Sequence, residues 1–212
     1  MEVLVSPGWS ITGPAFVVSN GQGFFYRVRV EASRLAEPDP IAQARKLCDR
    51  GAWAEALLFA RGWGAENPAA AKPLFYQGVA LAAMGRFVEA ETAYRSALAL
   101  DPNDFKTWNN LAGVLFDSRG KAIEGLRCLE RALKLEPRNK LGWSNLASMV
   151  GRLGRHEKAL EFAERALALD PQFVEALLHK AAAAKALGKT EVVRGVALEL
   201  ASIETGKFRR GG

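Results

Sequence analysis

The sequence predicts an all-α fold, a solenoid of about five stacked helix hairpins after a short extension that is prone to form a β-hairpin. Three observations predict it. Prolines recur at intervals of 34, 35 and 34 residues, and glycines keep a matching period. Between them lie paired segments of about fourteen residues whose apolar residues follow the helical period. The prolines are Pro68, Pro102, Pro137 and Pro171, and the glycines are Gly51, Gly85, Gly120, Gly154 and Gly188.

Each period contains the signals for two helices. A glycine just after a helix can adopt a positive φ angle, which ends that helix and turns the chain into the next one. A proline two residues after the second helix prevents its continuation. Both helices carry an apolar face, and one hairpin cannot bury both faces by itself. We therefore expect neighbouring hairpins to stack into a continuous core.

These signals divide the chain into an extension, a repeat array and a tail. The extension is 1–36, where Ala15–Ser19 and Phe24–Val30 flank the turn sequence Asn20–Gly23 and predict a hairpin, with disorder as the alternative. The tail, 208–212, is basic and rich in glycine. We place the one extra residue of the third repeat in the turn 118–121. The array, 37–207, comprises repeats 37–70, 71–104, 105–139, 140–173 and 174–207, of which the first and last are degenerate.

Nine positions recur in phase in repeats two to four, and their pattern resembles the tetratricopeptide repeat. The resemblance implies a right-handed superhelix whose first helices line a concave groove. It also implies a non-catalytic scaffold that binds a peptide segment or a partner protein in that groove. The nine positions are Leu74, Gln77, Gly78, Leu81, Gly85, Ala90, Tyr94, Ala97 and Pro102; Trp108, Leu111, Ala112, Leu115, Gly120, Gly125, Leu129, Ala132 and Pro137; and Trp143, Leu146, Ala147, Val150, Gly154, Ala159, Ala163, Ala166 and Pro171.

The resemblance also implies which side chains face the groove. Asn110 and Asn145 are equivalent, similar to the asparagines of the O-GlcNAc transferase repeats, which grip the backbone of a bound peptide. An amide suits this role because it has both a donor and an acceptor. The alternative is a solvated polar face, since the equivalent residues in repeats two and five are not asparagines. The groove candidates are Asn109, Asn110, Asn145, Lys72, Phe75, Tyr76, Lys106, Ser148, Arg152, His179 and Lys185.

Composition excludes several classes of protein. The chain has 212 residues, of which 49% are apolar and 25% charged, so it can form a core and is not predominantly disordered. Two cysteines do not make a disulfide scaffold. The net charge of +6 is interleaved with acidic residues, which permits a nucleic-acid partner but does not indicate one. Lys72, Lys106 and Lys185 would favour an acidic partner segment.

No signal for a membrane span or a secretory leader is evident. No run of eighteen apolar residues occurs, and the uncharged stretch 3–26 has neither a basic start nor an unbroken apolar centre. We therefore expect a cytoplasmic protein.

Motifs of catalysis are also missing from the sequence. It contains no His-Glu-x-x-His, no phosphate-binding loop and no nucleophile elbow. His156 and His179 have no second ligand at helical spacing, so neither predicts a metal site, and Cys48 and Cys128 are expected to serve packing. We expect no enzyme activity, no metal and no cofactor.

Two rival functions stay open at this stage. One is a nucleic-acid-binding helical repeat, which a steep salt dependence of binding would favour. The other is a regulatory or assembly subunit docked to an enzyme or secretion complex, with the hairpin adding a strand to its partner's sheet. Self-association through the apolar C-terminal segment 192–198 is open as well.

Overall fold

The computed structural model describes residues 17–19, 25–27, 39–118 and 120–209. The chain divides between Gln43 and Ala44 into two units. In the first unit, strands β1 (Val17–Ser19) and β2 (Phe25–Arg27) pair antiparallel, with Val18 opposite Tyr26. The strand pairing therefore agrees with the predicted hairpin, while its turn, 20–24, lies outside the described residues.

The remaining described residues form helices joined by short turns and loops, and the helices come in five consecutive pairs. In repeats two to five the first helix begins at the first residue of the predicted repeat. The all-α hairpin solenoid is thus confirmed. The pairs are α1 (Pro40–Asp49) with α2 (Trp53–Glu66), α3 (Ala71–Ala83) with α4 (Phe87–Leu100), α5 (Phe105–Asp117) with α6 (Ala122–Leu135), α7 (Lys140–Arg152) with α8 (His156–Leu169), and α9 (Val174–Ala186) with α10 (Thr190–Arg209).

The turn within each hairpin depends on its glycine. All five predicted glycines have φ between 69° and 80°, the left-handed region in which a Cβ atom would be strained. Four of the turns contain three residues, and the turn between α5 and α6 contains four, 118–121. The extra residue of the third repeat therefore lies where the sequence predicts it.

Helix packing in the second unit defines an inner surface. From α3 onward, each first helix packs on its own second helix, and α3, α5, α7 and α9 also contact one another in succession. Among the described helices, α4, α6 and α8 make no such contacts with each other. Neighbouring repeats are therefore closer along their first helices, so the array curves and the first helices line its inner surface.

Small and large residues alternate in the core between the helices. Ala80, Ala112 and Leu115 are fully buried. Gly78 faces the large ring of Tyr94, and a Cβ atom on this glycine would lie 2.5 Å from that ring. The small residues of the repeat pattern thus permit close approach of paired helices.

Two tryptophans link successive repeats. The indole nitrogen of Trp108 donates to the carbonyl oxygen of Pro102 at 2.9 Å, and that of Trp143 donates to Pro137 at 2.8 Å. Each bond joins a first helix to the loop that precedes it. Both tryptophans therefore belong to the repeat architecture, as the sequence indicates.

The C-terminal boundary differs from the prediction. Helix α10 has 20 residues, against 14 for α4, α6 and α8, and it continues to Arg209. Residues 208–209 are thus helical rather than part of a separate tail. The reason is that Thr205 stands where the other repeats have the proline that stops the second helix.

Candidate functional site

Two neighbouring clefts open on the inner surface of the array. The first, here called the amide cleft, has a volume of about 350 Å³ and lies between α3, α4, α5 and α7. The second, the histidine cleft, has a volume of about 220 Å³ and lies between α7, α8 and α9. The amide cleft is lined by Val79, Ala82, Phe87, Tyr94, Asn109, Asn110, Gly113, Val114, Asp117 and Asn145. The histidine cleft is lined by Ala147, Ser148, Gly151, Arg152, His156, Ala159, His179, Ala182 and Ala183.

Three asparagine side chains form a chain of hydrogen bonds in the amide cleft. The Nδ2 atom of Asn145 donates to Oδ1 of Asn109 at 3.1 Å. Asn109 in turn donates to Oδ1 of Asn110 at 3.4 Å. Asn109 is buried, while Asn110 and Asn145 are partly exposed. The buried amide therefore orients the two exposed ones, and it connects α5 to α7.

The floor of the amide cleft is apolar. The Tyr94 side chain is almost fully buried beneath it. Burial raises the pKa of the Tyr94 phenol, and a hydrogen bond with Asn110 opposes that rise only in part. The hydroxyl is therefore neutral in the working range of pH. Gly113 leaves the wall open, because a Cβ atom placed there would have no neighbour within 4 Å.

An ion pair lies at the border of the two clefts. Arg152, which lines the histidine cleft, pairs with Asp117 of the amide cleft at 2.8 Å. Its guanidinium also lies over the Phe116 ring, 4.7 Å from the centroid. Both charged side chains are at least half exposed, so the pair contributes little stability and can exchange partners.

The structure brings six of the predicted groove residues to the clefts. Asn109, Asn110 and Asn145 line the amide cleft. Ser148, Arg152 and His179 line the histidine cleft. Lys106 and Lys185 are exposed, and the Lys106 ammonium lies 6.0 Å from the centre of the Phe105 ring.

The remaining three predicted residues are engaged within the protein. The Lys72 ammonium is 3.0 Å from a carboxylate oxygen of Asp104. Phe75 packs edge-on against Tyr76, with ring centres 5.1 Å apart. Tyr76 also contacts Trp63 and is only 8% exposed. Its predicted place on the groove surface therefore needs correction, because the aromatic rings of repeats one and two close around it.

No feature of the described residues points to catalysis. Nowhere in that part of the chain do three histidine, cysteine or acidic residues gather in a way that could hold a metal ion. Burial raises the pKa of the Cys128 thiol to about 11, and burial also raises that of Cys48. Both cysteines are free thiols, and neither is activated for nucleophilic attack.

Several lining residues have no signal in the repeat pattern. Phe87 and Asp117 belong to helix ends, and His156 is the first residue of α8. The repeat pattern assigns the groove to first helices, so it overlooks Phe87 and His156, which reach the clefts from second helices. The Phe87 side chain is 43% exposed, and this exposure of a large apolar residue can be seen only in the folded array.

Comparison with known proteins identifies the repeat. Two tetratricopeptide repeat models match, one at residues 71–104 and the other at 106–172. The chain is a tetratricopeptide repeat protein. A search of the curated protein sequences gives no match.

Solved structures of similar fold include three bacterial proteins. The structure of MamA 41-end from Desulfovibrio magneticus RS-1 has a TM-score of 0.62 and 21% identity, and the match covers 82% of this chain and 98% of that structure. PilF of Pseudomonas aeruginosa has a TM-score of 0.70 and 21% identity, covering 77% and 74%. The thermophilic TPR protein TTC0263 of Thermus thermophilus has a TM-score of 0.66 and 19% identity, covering 79% and 89%. At these identities the likeness concerns the fold.

Tetratricopeptide repeats favour protein partners, and the described helices fit that general class of interaction scaffold. None of these helices combines the length and the apolar character that a bilayer span requires.

Proposed function

We propose that this protein is a non-catalytic scaffold that binds an extended peptide segment of a partner protein along its inner surface, with the amide cleft as the central contact. The observation that carries the proposal is the chain of asparagines beside an open apolar recess. Such a surface offers hydrogen bonds to a peptide backbone and a place for one apolar side chain.

The asparagines provide the polar half of the contact. A peptide unit presents one donor and one acceptor, and a side-chain amide can match both whatever the sequence of the peptide. Asn145 uses one N–H of its amide on Asn109, which fixes the amide plane and leaves its carbonyl oxygen for a ligand. Each such hydrogen bond contributes about 0.5–1.5 kcal/mol net, so the asparagines add modest affinity with little sequence selectivity.

Apolar side chains provide the other half. Val79, Ala82 and Phe87 form a wall beside the asparagines, and Gly113 leaves the recess unfilled. The volume of about 350 Å³ lies within the range of about 300–1,000 Å³ typical of ligand sites. An apolar side chain of the peptide buried here would give the hydrophobic contribution that the hydrogen bonds lack.

Charge on the inner surface supports a protein partner over a nucleic acid. Lys72 is paired with Asp104, and Arg152 is paired with Asp117. These carboxylates reduce the positive potential that a phosphate backbone would require. The docking of the hairpin to a partner's sheet, the self-association of the array and a cytoplasmic location stay predictions of the sequence.

The test is a substitution that places a larger side chain in the recess and leaves the core residues unchanged. Peptides are selected on the wild-type protein from a phage-displayed random library, and their affinities are measured by fluorescence anisotropy. Gly113→Leu should weaken binding at least tenfold, or about 1.4 kcal/mol, because the leucine occupies the space of the peptide side chain.

Gly62→Leu is the matched control. Gly62 is an exposed glycine of α2 whose Cβ position is equally open, and it lies outside both clefts. This variant should bind like the wild type. Equal affinity of the wild type and Gly113→Leu, or a wild-type protein that enriches no peptide, would contradict the proposal.

A further inference from the structure

The only two histidines of the chain, His156 and His179, line one cleft. They come from different helices, α8 and α9, and Arg152 and Ser148 of α7 complete the polar lining. Residue spacing alone provides no reason to join them, since each histidine lacks a partner at helical spacing. Folding therefore brings together four side chains that can each donate a hydrogen bond to an anion.

The histidine cleft has no acidic residue in its lining. No hydrogen bond among the described residues engages either imidazole ring. The Arg152 guanidinium lies over the Phe116 ring as well as against Asp117, and leaving Asp117 does not by itself remove the ring contact. An arginine in this position can form a two-pronged hydrogen bond with a carboxylate.

The burial of His179 decides the form in which this ring meets a ligand. The ring is half buried, and burial lowers the pKa of His179, while Glu175 on the same helix opposes that effect. A carboxylate entering the cleft would compensate the lost solvation of the imidazolium form.

We propose that the histidine cleft receives a carboxylate side chain, an Asp or Glu, of the peptide bound on the inner surface. The inference rests on the proposed function, because the amide cleft next to it would hold the same peptide. Arg152 borders both clefts, and it exchanges Asp117 for the carboxylate of the ligand when the peptide binds. The partner segment therefore has an apolar residue for the amide cleft and, before or after it in sequence, an acidic residue for the histidine cleft. The two clefts lie one repeat apart in the array.

The two histidines make the test direct, because each gives a separate ring signal in the NMR spectrum. The probe is N-acetyl-glutamate N-methylamide, titrated into the full chain at neutral pH and constant ionic strength. N-acetyl-glutamine N-methylamide is the neutral probe of the same shape. The ring signals of both His156 and His179 should move along one saturating curve with the glutamate probe and stay in place with the glutamine probe.

Two variants that each lose one positive charge distinguish a local binding site from a general electrostatic effect of the protein. Arg152→Gln should weaken the binding of the glutamate probe about tenfold, since one charge-assisted contact is lost. Lys189→Gln removes an exposed charge from the turn before α10 and should change the affinity less than about twofold.

Three results would overturn the inference: both probes moving the signals equally, neither probe moving them, or Lys189→Gln weakening the probe as much as Arg152→Gln. Binding of N-acetyl-phosphoserine N-methylamide without binding of the glutamate probe would likewise refute a carboxylate site. The peptide experiment on Gly113 reports on the amide cleft alone. If Gly113→Leu weakens peptide binding as expected but the histidine ring signals do not respond to the glutamate probe, this inference is rejected and the proposed function is retained.

Discussion

Two helix backbones approach each other closely at Gly125, and this contact allows a sharp prediction. A Cβ atom at this position would lie 2.8 Å from the carbonyl oxygen of Ala112 and 3.0 Å from the amide nitrogen of Phe116. Both neighbours are backbone atoms of α5, so relief requires a movement of α6 away from α5. The equivalent positions in repeats two and four hold the buried alanines Ala90 and Ala159. Helices α5 and α6 of the third hairpin are therefore packed so closely that only a glycine fits at position 125 without displacing them.

The expected magnitude of Gly125→Ala follows from two opposing effects. Overpacking a well-packed core costs about 1–3 kcal/mol. Alanine in a helix interior gains about 0.8–1.0 kcal/mol over glycine. We therefore expect a net loss of up to about 2 kcal/mol in the free energy of unfolding.

Gly113→Ala provides the control in the same hairpin. Its Cβ would meet no atom within 4 Å, so only the helix preference acts and the variant should gain about 0.5–1 kcal/mol. The assay is urea unfolding followed by far-UV circular dichroism, with the three proteins compared at their midpoints. The two substitutions should change the free energy of unfolding in opposite directions, and a Gly125→Ala protein that is stabilised as much as Gly113→Ala would contradict the close contact at Gly125.

Three further predictions concern the repeat core and its turns. Gly78→Ala should destabilise by up to about 2 kcal/mol, because its Cβ would lie 2.5 Å from the Tyr94 ring and the helix preference of alanine offsets only part of the overpacking. A double-mutant cycle with Tyr94→Leu should recover part of that loss, and additive effects would contradict the contact. Gly85→Ala should cost about 1 kcal/mol in unfolding free energy because φ is 74°, whereas Gly85→Asn should cost less; equal losses would argue against a left-handed turn. In a Cys48→Ser background, Cys128 should resist alkylation at neutral pH until urea unfolds the protein, because burial raises its pKa to about 11; rapid labelling of the folded protein would contradict its burial.

The architecture was predictable from the sequence because the signals for helix ends are local. A glycine at positive φ and a proline past the helix end act within a few residues, so the helix starts at Ala71, Phe105, Lys140 and Val174 follow from the pattern alone. The extra residue before α6 was located by the same logic. The predicted last repeat ends at 207, two residues before α10 does, although its missing proline was visible at Thr205.

The candidate site was predictable only in part, since its contacts join different repeats. The sequence proposed Asn110 and Asn145 as a pair, but the hydrogen bonds run through Asn109, which the packing of α7 against α5 buries. The burial of Tyr76 likewise depends on rings from two repeats. The shared cleft of the two histidines depends on how α8 and α9 pack. None of these contacts has a signature in residue spacing.

The central claim is that the asparagines hold a peptide backbone, and one affinity measurement tests it most directly. A library-selected peptide is titrated into the wild type and into an Asn110→Ala/Asn145→Ala variant of equal helicity, with the exposed Asn103→Ala as the control. Loss of two hydrogen bonds predicts a weakening of about 1–3 kcal/mol in the double variant and no change in the control. A double variant that binds the peptide as tightly as the wild type would contradict the account.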